Sequence, residues 1–138
     1  MIVVFAVASG LVVGNLYYAQ PLLDTLGRAF GVGTAAAGLV VTATQLGYAA
    51  GLLFIAPLGD LLENRRLIAC VLTGTVVALA IAAAANSFGQ FLLASLAIGV
   101  TSVAAQILVP FAANLAPPDE RGRVVGQVMS GLLLGILL

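Results

Sequence analysis

Ten charged side chains in three short clusters are all the charge carried by this chain of 138 residues. The clusters are Asp24 and Arg28; Asp60, Glu63, Arg65 and Arg66; and Asp119, Glu120, Arg121 and Arg123. Charge-free runs cover residues 1–23, 29–59, 67–118 and 124–138. A helix that crosses a hydrocarbon core about 30 Å thick needs about 20 mostly apolar residues. The first run holds one such helix, near 2–23. The second holds another, near 35–58, entered through the turn Gly31-Val32-Gly33-Thr34. The third has room for two, near 67–85 and 91–113, with Asn86-Ser87-Phe88-Gly89-Gln90 as its one polar break. A fifth begins near 123 and is cut at 138. The expected fold class is an all-α membrane protein of four complete transmembrane helices plus a truncated fifth.

Composition closes off the soluble alternatives. Charged residues make up 7% and hydrophobic ones 62%, where an average globular chain has about 25% charged. Five arginines divided among the clusters cannot neutralise a phosphate backbone, so nucleic acid is not an expected partner. A lone Cys70 excludes an internal disulfide and a cysteine zinc site. With no histidine, no metal-ligand set and no paired carboxylates, neither an enzyme nor a cofactor is expected. The expected partners are the bilayer and a small-molecule substrate.

Four of the five arginines lie in the second and fourth connectors, which the positive-inside rule places in the cytoplasm together with the N-terminus. Met1-Ile2-Val3-Val4 lacks the basic start of a cleaved signal peptide, so the first helix is read as retained. Residues 124–138 would rise only about 22 Å as a helix, short of a full crossing. The chain is therefore expected to be a piece of a longer protein; the alternative is a short tilted or interfacial helix.

Shifting the chain by 89 residues lays Gly10 on Gly99, Pro21 on Pro110, Leu26 on Leu115 and Tyr17 on Gln106. Helices one and two would then repeat as helices four and five with inverted topology, a pattern of many secondary transporters; chance matching among apolar helices is the alternative. Pairs spaced by three residues (Gly10 and Gly14, Gly47 and Gly51, Gly122 and Gly126, Gly131 and Gly135) put two glycines on one face and predict close helix packing.

The spans contain amides and phenols instead of charges: Asn15, Tyr17, Tyr18 and Gln20 in the first, Gln45 and Tyr48 in the second, Gln106 in the fourth. Such groups are costly in hydrocarbon unless bonded, so they face the bundle interior or a wet cavity. One reading is a substrate path lined by Asn15, Tyr18, Gln20, Gln45 and Gln106. The other is interhelical glue, with the tyrosines in an interfacial belt. In the connector Ala56-Pro57-Leu58-Gly59-Asp60-Leu61-Leu62-Glu63-Asn64-Arg65-Arg66, Asp60 follows one helix and the arginines open the next, each against the local helix dipole. Asp60 is therefore expected to have a partner, either another helix N-terminus or Arg121; a solvated turn is the plainer reading.

These residues resemble known ones. The Pro-Leu-Gly-Asp…Arg-Arg stretch is similar to the signature loop of the major facilitator superfamily. Asn15-Leu16-Tyr17-Tyr18-Ala19-Gln20-Pro21 resembles the first helix of its bacterial drug-efflux-like members, and Pro117-Pro118-Asp119-Glu120-Arg121-Gly122-Arg123 resembles the loop entering their fifth. The resemblance covers essentially the whole chain, which corresponds to about four and a half of the family's usual twelve helices. It implies secondary active transport, an efflux by alternating access, in a bacterial cytoplasmic (inner) membrane. The missing C-terminal half of the transporter would be a partner. It also implies gating by Gly59, Asp60, Arg65, Arg66 and Arg121. The chain departs from the loop pattern at Ala56, Leu61 and Glu63. It lacks the arginine that family antiporters often carry early in helix four, where Ala94-Ser95-Leu96 stands. Asp24 is then the candidate carrier of a coupling proton, with a structural ion pair to Arg28 as the alternative. Readings from other classes are a small dimeric four-helix exporter and an inactive truncated or structural membrane subunit.

Overall fold

Freed of charge, the long runs fold as helix, and they break where proline or hydroxyl side chains disturb the backbone ladder. The computed structural model describes residues 2–137, apart from the side chain of Asp60. The helices are α1 (Ile2–Tyr17), α2 (Leu23–Phe30), α3 (Thr34–Phe54), α4 (Leu58–Leu61), α5 (Asn64–Ala83), α6 (Phe88–Thr101), α7 (Ala104–Leu115) and α8 (Arg121–Leu137). Among the described residues, three stretches are long and apolar enough to cross a membrane: α3, α5, and α6 with α7 as one rod over Phe88–Leu115. Ile2–Tyr17 is a shorter apolar helix.

Three expected spans need correction. The helix expected over 2–23 stops at Tyr17. Pro21 has no N–H to give the Tyr17 carbonyl, and its ring would clash with that oxygen; the Gln20 N–H takes the carbonyl instead, at 3.0 Å. The chain resumes as α2, whose Asp24, Thr25 and Arg28 are exposed while Gly27 is buried. It ends at Gly31, in the left-handed region at φ 65°, where glycine carries no Cβ penalty. Pro57 acts in the same way one span later. It ends the helix expected to reach 58 at Phe54, and the short α4 follows.

The helix expected over 91–113 is divided at Ser102-Val103. The Ile98 carbonyl receives the Ser102 N–H at 2.9 Å and the Ser102 hydroxyl at 2.7 Å, and the Thr101 hydroxyl lies between the carbonyls of Ala97 at 3.1 Å and Ile98 at 3.2 Å. Hydroxyls bonded back onto the preceding turn compete with the ladder and bend helices. The hairpin before α6 is closed by reciprocal capping. The Ser87 hydroxyl accepts the Gln90 N–H at 3.3 Å, and the Gln90 side chain accepts the Asn86 N–H at 3.0 Å.

The α6–α7 rod is the hub of the bundle, with α3 and α5 along α6 and with α1 and α8 against α7. The core joins Val12 and Val13 of α1, Leu67, Ile68 and Val71 of α5, and Val103, Ala104, Ile107 and Leu108 beside and within α7. Phe5 meets Phe111 edge-on at 5.8 Å near the chain's start; at the opposite end Phe30 of α2 lies 5.5 Å from Phe91 and 6.0 Å from Phe88.

Small residues set the two tightest helix pairs. In α3 against α6, a Cβ on Gly47 would overlap the Leu96 carbonyl, one on Gly51 the Val100 carbonyl, and one on Gly99 the Thr44 carbonyl. In α1 against α8, a Cβ on Gly131 would overlap the Ala6 carbonyl and one on Gly135 the Gly10 carbonyl. In both pairs, glycines one turn apart on one helix meet carbonyls one turn apart on the other, but the 89-residue shift does not superpose these contacts, since it carries Gly47 to position 136 and not to Gly131. Of the four glycine pairs, Gly122 and Gly126 make no such approach: nothing lies within 4 Å of a Cβ at either.

Candidate functional site

From Ser102 to Leu108 every residue is buried except Gln106. Its carboxamide leaves the packed face of α7, and its Nε2 donates to the Tyr48 hydroxyl of α3 at 2.9 Å. Glycine makes this reach possible. Without a Cβ at Gly99, α3 comes so close that the Tyr48 backbone nitrogen lies 2.9 Å from where that Cβ would stand. Tyr48 is half-buried against the core, and the exposed Gln45 stands one helical turn before it on the same side of α3. Pro110 follows Gln106 by four residues inside α7, so the Gln106 carbonyl receives no N–H from that position.

Four hydroxyls of the long helices are occupied, whereas that of Ser9 on α1 is buried without a partner among the described residues. Thr44, Thr73, Thr75 and Ser95 bond back to the carbonyls of Val40, Ala69, Val71 and Phe91 at 2.8–3.1 Å. Against that background, Tyr48 with Gln106 is the one hydrogen bond between two side chains among the described residues. Amide and phenol remain accessible, and each keeps unused valences. Neither α3, α6 nor α7 carries an ionisable carboxylate or a basic side chain. The site is polar and uncharged.

The five residues expected to line one path fall in different places. Gln45 and Gln106 come together around Tyr48. Asn15 is half-buried on α1, and Gln20 is exposed in the turn after it; neither side chain makes a hydrogen bond within the described residues. Tyr18, exposed in the same turn, lies beside Gly14 and lines an open, mainly apolar groove of about 1020 Å³ between α1 and α8, rimmed by Glu120 and Arg123. Sequence reasoning grouped Tyr48 with the polar residues of its span but left it out of the path. Its three-residue spacing from Gln45 was the available signal, whereas its pairing with Gln106 depends on the approach at Gly99.

At the other expected centre, Gly59 sits in α4 with Asn64 Oδ1 3.3 Å and the Ile107 side chain 3.6 Å from its would-be Cβ. That Asn64 oxygen is buried without a partner among the described residues. Arg65 and Arg66 occupy the exposed first turn of α5, and Arg66 Nε pairs with Glu63 Oε2 at 2.9 Å across two exposed side chains. Arg121 opens α8, also exposed. The side chain of Asp60, and hence its expected partner, lies outside the described residues. Asp24 is exposed on α2, where Arg28 Nε donates to its backbone carbonyl at 3.4 Å instead of to its carboxylate.

Comparison with known proteins agrees along the whole length. The family model described as Major Facilitator Superfamily matches residues 4–138. The chain is 54% identical over 138 residues to "Uncharacterized transporter YgaY" of Escherichia coli O157:H7, covering 100% of this chain and 35% of that protein. It is 39% identical over 132 residues to "Probable transporter SCO4007" of Streptomyces coelicolor, covering 96% of this chain and 31% of that protein. The chain thus spans about a third of the length of the curated relatives it matches. No solved structure gives a significant match.

Proposed function

The chain belongs to the major facilitator superfamily, a family of transporters and not of enzymes, and from that premise we propose that it forms part of a secondary active transporter. It moves a small solute across a bacterial inner membrane, outward, by alternating access. Asn15, Tyr18, Gln20, Gln45 and Gln106 face the solute at successive stages of its passage. Gly59, Asp60, Arg65, Arg66 and Arg121 act at the cytoplasmic gate, and Asp24 is the carrier of a coupling proton. The remaining length that the relatives possess supplies the other wall of the path.

The observation that carries this reading is the exposed carboxamide of Gln106, held by Tyr48 on an otherwise buried and charge-free stretch. An amide open to lipid on such a span is unfavourable, so a wet or solute-filled face fits it better. The glycine contacts support the motion as well, because smooth close-packed faces allow one helix pair to rock on another. Flux into inverted vesicles tests the reading, with the uncharged dye Nile red as probe. Protonophore-sensitive accumulation that falls severalfold in Gln106→Leu and in Asp60→Asn is expected. Absence of flux above empty vesicles, for Nile red and a panel of other dyes and drugs, would remove the transport reading.

A further inference from the structure

We infer that Tyr48 and Gln106 form the specificity-determining contact of the path, and that they select an uncharged solute presenting a hydrogen-bond acceptor and donor side by side, as a carboxamide, lactam or urea does. The inference rests on the transport reading for its setting and on the hydrogen-bond inventory for its content.

Each member of the pair has a definite remaining capacity. A phenol has one O–H to donate, and here its oxygen already accepts from Gln106 Nε2. That proton is left for an incoming acceptor. Gln106 spends one amide hydrogen on Tyr48, leaving Oε1 to accept a donor. No protein partner for either function occurs among the described residues, and the 2.9 Å bond holds the two groups adjacent. The vacant set is therefore the phenol O–H and the second Nε2 hydrogen as donors and Oε1 as acceptor, and the phenol proton beside Oε1 is complementary to the edge of an amide. The exposed Gln45, one turn away on α3, extends the same neutral surface.

Charge argues in the same direction. A solute carboxylate or ammonium stripped of water needs a counter-charge or several strong hydrogen bonds. The long apolar helices around the pair offer no ionisable carboxylate and no arginine along α3, α6 and α7. A neutral amide loses less on leaving water and regains two bonds on arrival.

Equilibrium dialysis of the protein in lipid nanodiscs tests the assignment with four probes of one skeleton: cyclohexanecarboxamide, its N,N-dimethyl derivative, cyclohexanecarboxylate and cyclohexylmethylammonium. Binding of the primary amide about tenfold tighter than either ion is expected, one tenfold step being the scale of one well-made hydrogen bond. Dimethylation, which removes the donor aimed at Gln106 Oε1, should weaken binding severalfold in the unaltered protein and have no further effect in Gln106→Leu. Tyr48→Phe should weaken both amides equally. Far-UV circular dichroism of each variant controls for folding, and the four-probe comparison in the unaltered protein needs no variant. Equal binding of the ions, or a dimethylation penalty that persists in Gln106→Leu, overturns the assignment. Amide-selective binding without vectorial flux would count against the transport reading and leave the contact standing. Flux of Nile red with no amide preference would do the reverse.

Discussion

At the scale of single residues, two glycines of one helix separate packing from propensity. Gly38 and Gly47 both lie in α3. A Cβ at Gly38 meets nothing within 4 Å, whereas one at Gly47 overlaps the Leu96 carbonyl of α6. A glycine inside a helix costs about 1 kcal/mol relative to alanine, so Gly38→Ala is expected to stabilise by up to about that amount. Gly47→Ala must push a backbone away and is expected to destabilise by about 1–3 kcal/mol, the range of overpacked sites. Unfolding by increasing SDS in mixed micelles, followed by circular dichroism, measures both. Equal effects at the two positions would mean that α3 and α6 are not in contact as described. The charged residues behave differently. Arg66 and Glu63 are solvent-facing partners, and such pairs contribute little because water and salt screen them. Glu63→Gln is expected to leave the same unfolding midpoint unmoved.

Elements follow from local chemistry that the charge pattern alone does not contain. Positions of the long helices were legible in the sequence because a charge-free run of sufficient length has few alternatives in lipid. The breaks were less legible. Pro21 and Pro57 were visible as residues, but hydropathy ignores the missing N–H that ends α1 and α3 beside them. The division between α6 and α7 was hidden altogether, since Thr101 and Ser102 sit in an apolar run and act only by bonding back to the carbonyls of Ala97 and Ile98. Gln106 lies just past that division, so half of the candidate site sits beside a detail that composition does not record. Tyr48 was missed for a related reason: partnership across helices is fixed by how near Gly99 lets α3 approach. Replacing both hydroxyls, as Thr101→Val with Ser102→Ala, is expected to regularise the junction and turn Gln106 away from Tyr48. Selectively ¹⁵N-labelled glutamine side chains report this by NMR: the Gln106 amide protons should shift and exchange faster, while SDS stability is kept. An unmoved Gln106 signal would show that the back-bonds do not set its direction.

For the whole molecule, packing and charge make a joint statement about orientation. Ile2 and Phe5 of α1 gather with Ala112, Ala116 and Val124, so the chain's start, the connector into α8 and its Arg121 and Arg123 share one end of the bundle. Gly59 of α4 rests on Ile107 and Asn64, which draws Arg65 and Arg66 toward that end as well. The opposite end carries Arg28 and the phenylalanine cluster around Phe30. Four arginines against one lead to the prediction, under the positive-inside rule, that the first end faces the cytoplasm. Cysteine scanning tests this without disturbing the arginines that set it. In a Cys70→Ala background, single cysteines at the exposed positions Thr25, Leu62 and Pro118 are treated with a membrane-impermeant maleimide, in intact cells and in inverted vesicles. Thr25→Cys should react only in cells, and Leu62→Cys and Pro118→Cys only in vesicles. The reverse pattern would invert the bundle and with it the assignment of the α4–α5 connector to a cytoplasmic gate. Labelling of Leu62→Cys and Pro118→Cys from opposite sides would be more severe, because no orientation of the packed helices described here permits it.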